Sequence, residues 1–159
     1  MSYSDLKGKV FVITGAASGQ GRVTSLLLTK QGAKLGLLDL KHPQSVLDEI
    51  KELGGEAIGF QVDVGDSSGV EAAVKATKER FGKIDGGANL AGWAGKYGFT
   101  SKGYALDTVT DQEWDAMISV NLTGVKNSTA SELRHINKGG SIVNISSVAG
   151  QRATPWNCP

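Results

Sequence analysis

Thr14-Gly15-Ala16-Ala17-Ser18-Gly19-Gln20-Gly21 stands between the apolar run Val10-Phe11-Val12-Ile13 and a stretch with helical periodicity. Strand, glycine-rich turn and helix start, in that order, build a site for a negatively charged phosphate group. Gly15 permits the tight turn, Gly19 lets a ligand approach bare backbone, and Gly21 lets the helix pack closely on the sheet. The first N–H groups of that helix have no internal partners and lie at the positive end of its dipole. Ser18 and Gln20 stand among these glycines and join Gly15, Gly19 and Gly21 as candidate cofactor contacts. Glycines also mark ordinary turns, so the weight comes from the position between strand and helix.

Working outward, apolar runs and amphipathic stretches alternate. Lys9–Thr14 reads as a buried strand, and Gly21–Gln31 as a helix facing the core through Val23, Leu26, Leu27 and Lys30, ended by Gly32. Lys34–Leu40 is a second strand. Pro43–Leu53 is a helix with Pro at its start and Gly54-Gly55 past its end. Glu56–Val62 is a third strand. Ser67 is placed to cap a helix that runs to Phe81 and buries Val70, Val74 and Thr77. Ile84–Leu90 is a fourth strand, weakened by glycine. Thr110 starts a long helix, and Glu113 completes a capping box. Ser141–Ser146 is a fifth strand. Such alternation predicts parallel pairing through right-handed crossovers. The expected fold is α/β: a doubly wound, three-layer, Rossmann-like sheet of order 3-2-1-4-5, in one domain over residues 1–159. Ala91–Asp107 has no clear periodicity, and a loop that long is usually functional or mobile. Its Trp93, Tyr97, Phe99 and Tyr104 either line a pocket or cover the sheet.

Bulk properties narrow the function classes. The 159 residues are 40% hydrophobic and 21% charged, as expected for a globular chain with a real core. Net charge is +1 and the basic residues are dispersed, which argues against nucleic acid or an acidic membrane as partner. No apolar run approaches the roughly 20 residues that span a bilayer, and Met1–Asp5 lacks a signal-peptide pattern. One cysteine, Cys158, fits a reducing, cytoplasmic setting. With 22 Gly and only 3 Pro, the composition favours tight strand-to-helix turns over disorder.

Three polar residues at strand ends turn the phosphate cradle into a dinucleotide site. Asp39 ends the second strand, where a carboxylate accepts from both ribose hydroxyls of an adenosine. The same charge repels a 2′-phosphate, and the glycine turn carries no Arg or Lys to offset it. NAD is therefore favoured over NADP; Lys41 and His42 stand nearby and keep NADP as the alternative. Asp63, with Val64, ends the third strand and is placed either to meet the adenine or to begin a helix. Asn89 ends the fourth strand, on the ligand-collecting edge of the sheet. No metal site is read from the sequence.

Thr14-Gly15 through Gly19-x-Gly21, Asp63-Val64, Asn89-Leu90-Ala91-Gly92, Val120-Asn121-Leu122 and Ser141-Ile142-Val143-Asn144-Ile145-Ser146-Ser147 occur in order. Together they resemble the motifs of the short-chain dehydrogenases/reductases. Leu90 departs from that family's Asn-Asn-Ala-Gly pattern at its second position. The resemblance implies hydride transfer between a nicotinamide cofactor and a small alcohol or ketone. It implies that Asn121 lends its backbone carbonyl to a proton relay, and that Ser147, with Ser146 as fallback, hydrogen-bonds the substrate. Lys126 falls near the cofactor in some relatives; the alternative is a solvated helix lysine.

That family's acid–base residue is the Tyr of a Tyr-x-x-x-Lys motif, expected at the first position after Pro159. Ordinary Tyr has a pKa near 10, so it needs a tuning partner to work at neutral pH. Tyr3, Tyr97 and Tyr104 lie in the wrong segments. The resemblance thus implies that the pair, the substrate loop and the C-terminal strands are missing. The expectation is a chain inactive alone, whose last strand leaves an exposed edge at Ile142, Val143 and Ile145 that invites self-association. Three readings stand: the front part of an oxidoreductase, a dinucleotide-binding module without catalysis, and a fragment with no function.

Overall fold

A computed structural model describes residues 4–96 and 105–151. Its elements are β1 (Val10–Thr14), α1 (Gly19–Lys30), β2 (Lys34–Asp39), α2 (Gln44–Glu52), β3 (Glu56–Gln61), α3 (Ser67–Phe81), β4 (Gly86–Asn89), α4 (Asp111–Ile118), α5 (Gly124–His135) and β5 (Ser141–Asn144). The five strands form one sheet in the order β3-β2-β1-β4-β5, as the alternation predicts. Every pairing is parallel, and Thr14, Asn89 and Asn144 share one level across β1, β4 and β5. Side chains alternate between faces along each strand. Val12 and Leu38 accordingly pack with Val70, Val74 and Ile84 on one face. Ile13, Leu35 and Leu37 pack with Val46 and Ile50 on the other. Two cores on two faces make the three layers.

Small residues, not large ones, set how α1 sits. Gly21, Ser25 and Thr29 are its buried positions, whereas Val23 and Leu27, expected in the core, are 52% and 57% exposed. Lys30 is exposed as well, and of the expected face only Leu26 packs on the core. The cause is close approach: a Cβ at Gly21 would collide with the Gly15 carbonyl oxygen. Ser25 and Thr29 can enter this contact because their hydroxyls donate to the carbonyls of Gly21 and Ser25, at 2.8 and 2.9 Å. A hydroxyl satisfied inside its own helix is buried at little cost.

Other boundaries shift by a residue or two. The α3 cap is Asp66, not Ser67; its side chain accepts from the Ser68 N–H at 2.9 Å. A carboxylate there also suits the dipole. Val70, Val74 and Thr77 are buried as expected, and Gly82 closes the helix at φ +80°. β4 is shorter than Ile84–Leu90, and β5 ends at Asn144, before Ser146. Thr110 and Glu113 form the expected capping box. The long helix is not uniform, however: a π-helical turn over Ser119–Thr123 separates α4 from α5. Of the aperiodic segment 91–107, residues 91–96 and 105–107 carry no helix or strand, and Tyr97, Phe99 and Tyr104 lie outside the described residues. Among the described residues, no helix is long and apolar enough to cross a membrane.

Candidate functional site

The glycine turn is braced from behind and open in front. Gly15 has φ +68°, and a Cβ there would lie 2.8 Å from the backbone of Ala91, in the loop that follows β4. Gly19 has φ +51°, a conformation that L side chains rarely adopt, and a Cβ there would meet nothing within 4 Å. Ser18 occupies the cap position of α1 without a side-chain cap bond, so its hydroxyl is left to solvent. Gln20 is exposed beside it. The turn therefore presents bare backbone, a hydroxyl and a helix N-terminus on one side.

Asp39 builds this turn as well as bordering it. One carboxylate oxygen accepts from the Ala17 N–H at 2.9 Å, the other from the Lys41 N–H at 3.0 Å. An ionised carboxylate has about four acceptor positions, which leaves room for ligand hydroxyls. Arg22, in the first turn of α1, is committed elsewhere: its Nε donates to Glu49 Oε1 at 3.0 Å, and an Nη2–Oε2 contact completes a fork onto α2.

Two clamps fix the loop after β4. Thr14 Oγ1 accepts from the N–H groups of Leu90 and Ala91, at 3.1 and 3.2 Å. Asn121 grips Trp93 twice, accepting from its N–H at 2.9 Å and donating to its carbonyl at 2.8 Å. The sequence reading assigned Asn121 only a backbone role; its side chain is a second function that the motif did not announce. Asn121 lies within the π-helical turn, where wider spacing perturbs the regular carbonyl pairing of the helix.

Asn89 and Val64 face inward. Asn89 is 2% exposed, and its amide donates to Glu132 Oε2 at 2.9 Å and to Asn144 Oδ1 at 2.8 Å. Val64 packs in the core beneath β1 and β2. Anything either residue offers a cofactor comes from its backbone. Asp63 is exposed and accepts from the Gly65 N–H at 2.8 Å. Asn127 donates to the carbonyls of Val64 and Gly65, at 2.9 and 3.1 Å, and so holds that turn from α5. Lys126 is exposed on α5, and Ser146 and Ser147 are exposed beyond β5.

Glu132 is the site-side residue that sequence reasoning missed. It is 0% exposed on α5. Burial pushes its carboxyl up to about 7, and the Asn89 amide only partly offsets this. The signal was a stripe of small and polar residues, Gly124, Ser128, Ser131 and Glu132, at helical spacing, together with a glycine, Gly87, that leaves room for the carboxyl.

A cleft of about 540 Å³ joins these parts, lined by Gly19, Gln20, Val23, Thr24, Leu90 and Ile145. It runs from the glycine turn along α1 to the ends of β4 and β5. Val143 and Ile145, on the expected apolar edge, are 51% and 47% exposed, and Ile142 is half-buried. The spacing Tyr-x-x-x-Lys does occur once, at Tyr3 and Lys7, ahead of β1 and far in sequence from Ser147.

Comparison with known proteins agrees with this geometry. The short chain dehydrogenase family model matches residues 9–159. A short-chain dehydrogenase/reductase of Botryotinia fuckeliana is 38% identical, over 94% of this chain and 58% of its own. The 3-oxoacyl-[acyl-carrier-protein] reductase of Thermotoga maritima is 35% identical, over 94% of this chain and 60% of its own. The chain thus spans about three-fifths of these relatives. Among solved structures, carveol dehydrogenase from Mycobacterium avium in complex with NAD superposes with a TM-score of 0.86 at 32% identity, covering 96% of this chain and 59% of that one. A short chain dehydrogenase from Burkholderia cenocepacia in complex with NADP gives 0.83 at 30%, covering 94% and 59%. Glycine turn, sheet order and sequence agree: the chain belongs to the short-chain dehydrogenase/reductase family of oxidoreductases.

Proposed function

We propose that this chain is the dinucleotide-binding part of an NAD-dependent short-chain oxidoreductase acting on a small alcohol or ketone. The observation that carries this reading is the open backbone at Gly19 beside a turn that Asp39 holds in place. Ser18, Gly19, Gln20 and the first amides of α1 would receive the pyrophosphate. Asp39 would accept from the adenosine ribose. Asp63 and the backbone of Val64 and Asn89 would border the adenine side, with Lys126 toward the other end.

NAD is preferred over NADP for two reasons. A 2′-phosphate beside Asp39 places like charges a few Å apart, at a cost of roughly 1 kcal/mol or more even when screened. Arg22, in the first turn of α1, is already forked onto Glu49. The solved relatives include complexes with each cofactor, so the preference rests on these residues of this chain.

A bound nicotinamide would donate or take the hydride. Around it, Ser147 would hold the substrate oxygen, with Ser146 as its neighbour, and the Asn121 carbonyl would hold a water of the proton path. The acid–base pair of the family has no counterpart after Ser147 in this chain. A missing general acid alone forfeits about 10²–10⁴-fold in rate. The 159-residue chain is therefore expected to bind cofactor without turnover.

Isothermal titration with NAD and NADP, paired with an absorbance assay on secondary alcohols, tests this. NAD binding without turnover supports the reading for the chain alone, and it is also how a purely binding module would behave. Turnover by the purified chain would refute the claimed inactivity. No binding of either dinucleotide would leave a fragment without function.

A further inference from the structure

Gly87 and Glu132 share one space. A Cβ at Gly87 would fall on the Glu132 carboxyl, closer than real atoms approach. The middle of β4 therefore has a side-chain-sized gap facing α5, and this carboxyl fills it. Four residues meet there. Asn89 donates to both Glu132 and Asn144, and Thr129 Oγ1 donates to Asn144 Oδ1 at 3.1 Å. Two buried oxygens, Glu132 Oε1 and Asn89 Oδ1, have no partner.

Among the described residues, no cation faces this carboxyl. β4 and β5 carry no charged residue. Asp85, just before β4, is engaged by Lys9, Lys83 and the Val10 N–H. On α3, Glu71 is turned to Ser131, Arg134 and His135 of α5. Lys75 and Glu79 pair with each other at the surface, and Lys78 and Arg80 lie in the last turn of α3. Lys126 of α5 is exposed. The π-helical turn carries no charge. A buried carboxylate without a cation keeps its proton instead. A proton there removes the uncompensated charge and leaves Glu132 Oε2 free to keep accepting from the Asn89 amide.

The step from Glu132 to the cleft is short. Asn89 precedes Leu90 and Ala91, which Thr14 holds and which back Gly15. The Asn89 carbonyl accepts from the Ile145 N–H at 3.2 Å, and Leu90 and Ile145 both line the cleft.

We propose that Glu132 is a positioning residue for the dinucleotide site, acting in its protonated form through Asn89 to hold the ends of β4 and β5 together. This rests on the reading of the cleft given above. Loss of the proton leaves an unpaired anion against Asn89, loosens Leu90 and Ile145, and weakens binding. By reciprocity, bound dinucleotide makes the proton harder to remove.

The test uses the whole chain from pH 5.5 to 8.5. NAD titrations of the native protein should show the dissociation constant rising about fivefold or more through neutrality, the low end of usual coupling between sites. E132Q keeps the shape and stays neutral, so its profile should be flat. Native and E132Q profiles of the same slope would overturn the proposal. A second readout needs no NAD and no variant: the side-chain amide resonances of Asn89 and Asn144 should move together with one midpoint near neutrality. Amides that stay still would overturn it too. If NAD binds at no pH, the reading of the cleft fails, and the amide titration still decides whether Glu132 holds the strand ends.

Discussion

Asp39 accepts a hydrogen bond from the backbone N–H of Ala17 at 2.9 Å, which ties the end of β2 to the turn between β1 and α1. The residue expected to choose the cofactor is thus also a brace for the phosphate cradle. Asp39→Ala removes both roles. A hydrogen bond to a charged group is worth about 1.5–3 kcal/mol, and Asp39 is only half-buried, so the loss of stability should fall at the lower end. NAD affinity should drop about tenfold or more, and the preference for NAD over NADP should narrow. Parallel titrations with both dinucleotides, beside a denaturation curve, measure this. An unchanged NAD/NADP ratio would remove Asp39 from cofactor choice.

Two glycines of the same turn should respond in opposite ways. Gly21→Ala drives a methyl into the Gly15 carbonyl oxygen. That lifts α1 off the turn and should unfold or severely destabilise the chain. At Gly19 the methyl meets nothing within 4 Å, so the cost is confined to φ +51°, about 1 kcal/mol. The fold should survive Gly19→Ala, while dinucleotide binding falls because the methyl stands where a phosphate would approach. Circular dichroism melts with binding isotherms separate the two. A Gly19→Ala variant that binds NAD like the native chain would place the phosphate elsewhere.

These glycines show what was legible beforehand. Strand order and layers follow from alternating hydrophobic patterns, and the turn from three glycines in a fixed context. The buried face of α1 was misread because Ser25 and Thr29 count as polar until their hydroxyls are seen bonded to the preceding turn. Glu132 was illegible for a related reason. A charged residue on a helix reads as surface, and only the register of β4 shows that Gly87 leaves it a berth. Asn121 stands in a recognisable motif, but its grip on Trp93 comes from a residue within a π-helical turn, which no periodicity announces.

Asn121→Ala should therefore act on the loop as well as on any proton path. It removes both bonds to the Trp93 backbone. With each worth about 0.5–1.5 kcal/mol, the loop over residues 91–96 should gain freedom while the sheet stays intact. Trp93, 40% exposed in the native chain, should show faster hydrogen exchange at its backbone amide and more accessible indole fluorescence. Measured against a Trp93→Phe control, unchanged exchange in Asn121→Ala would mean that the clamp does not hold the loop.

Two glutamates with opposite shifts should make stability peak in mildly acidic solution. Glu71 is held down to about 2, first by Arg134 and then by Ser131 and His135, from an ordinary 4.5. The unfolded chain takes up that proton at higher pH, so this contribution is whole above 4.5 and is lost as pH falls toward 2. With a third of the side chain exposed, solvent screening should limit it to about 1–2 kcal/mol. Glu132 runs the other way. Burial raises it from 4.5 to about 7, so between those values the folded chain holds a proton that the unfolded chain has released. Its contribution is whole below 4.5, declines as pH rises to about 7, and is gone above. The full shift corresponds to roughly 3 kcal/mol as an upper bound. Urea midpoints across pH 3 to 8.5 should therefore be highest near pH 4.5–5, where both contributions are present. E71Q should make the acid limb shallower without abolishing it, because Glu56, Asp66 and Asp85 are also held below their ordinary values, and should leave the neutral limb unchanged. E132Q should flatten the neutral limb alone, and at pH 8 it should be more stable than the native chain by about 1–3 kcal/mol. A native chain more stable than E132Q at pH 8 would mean that the buried carboxylate finds a partner once ionised.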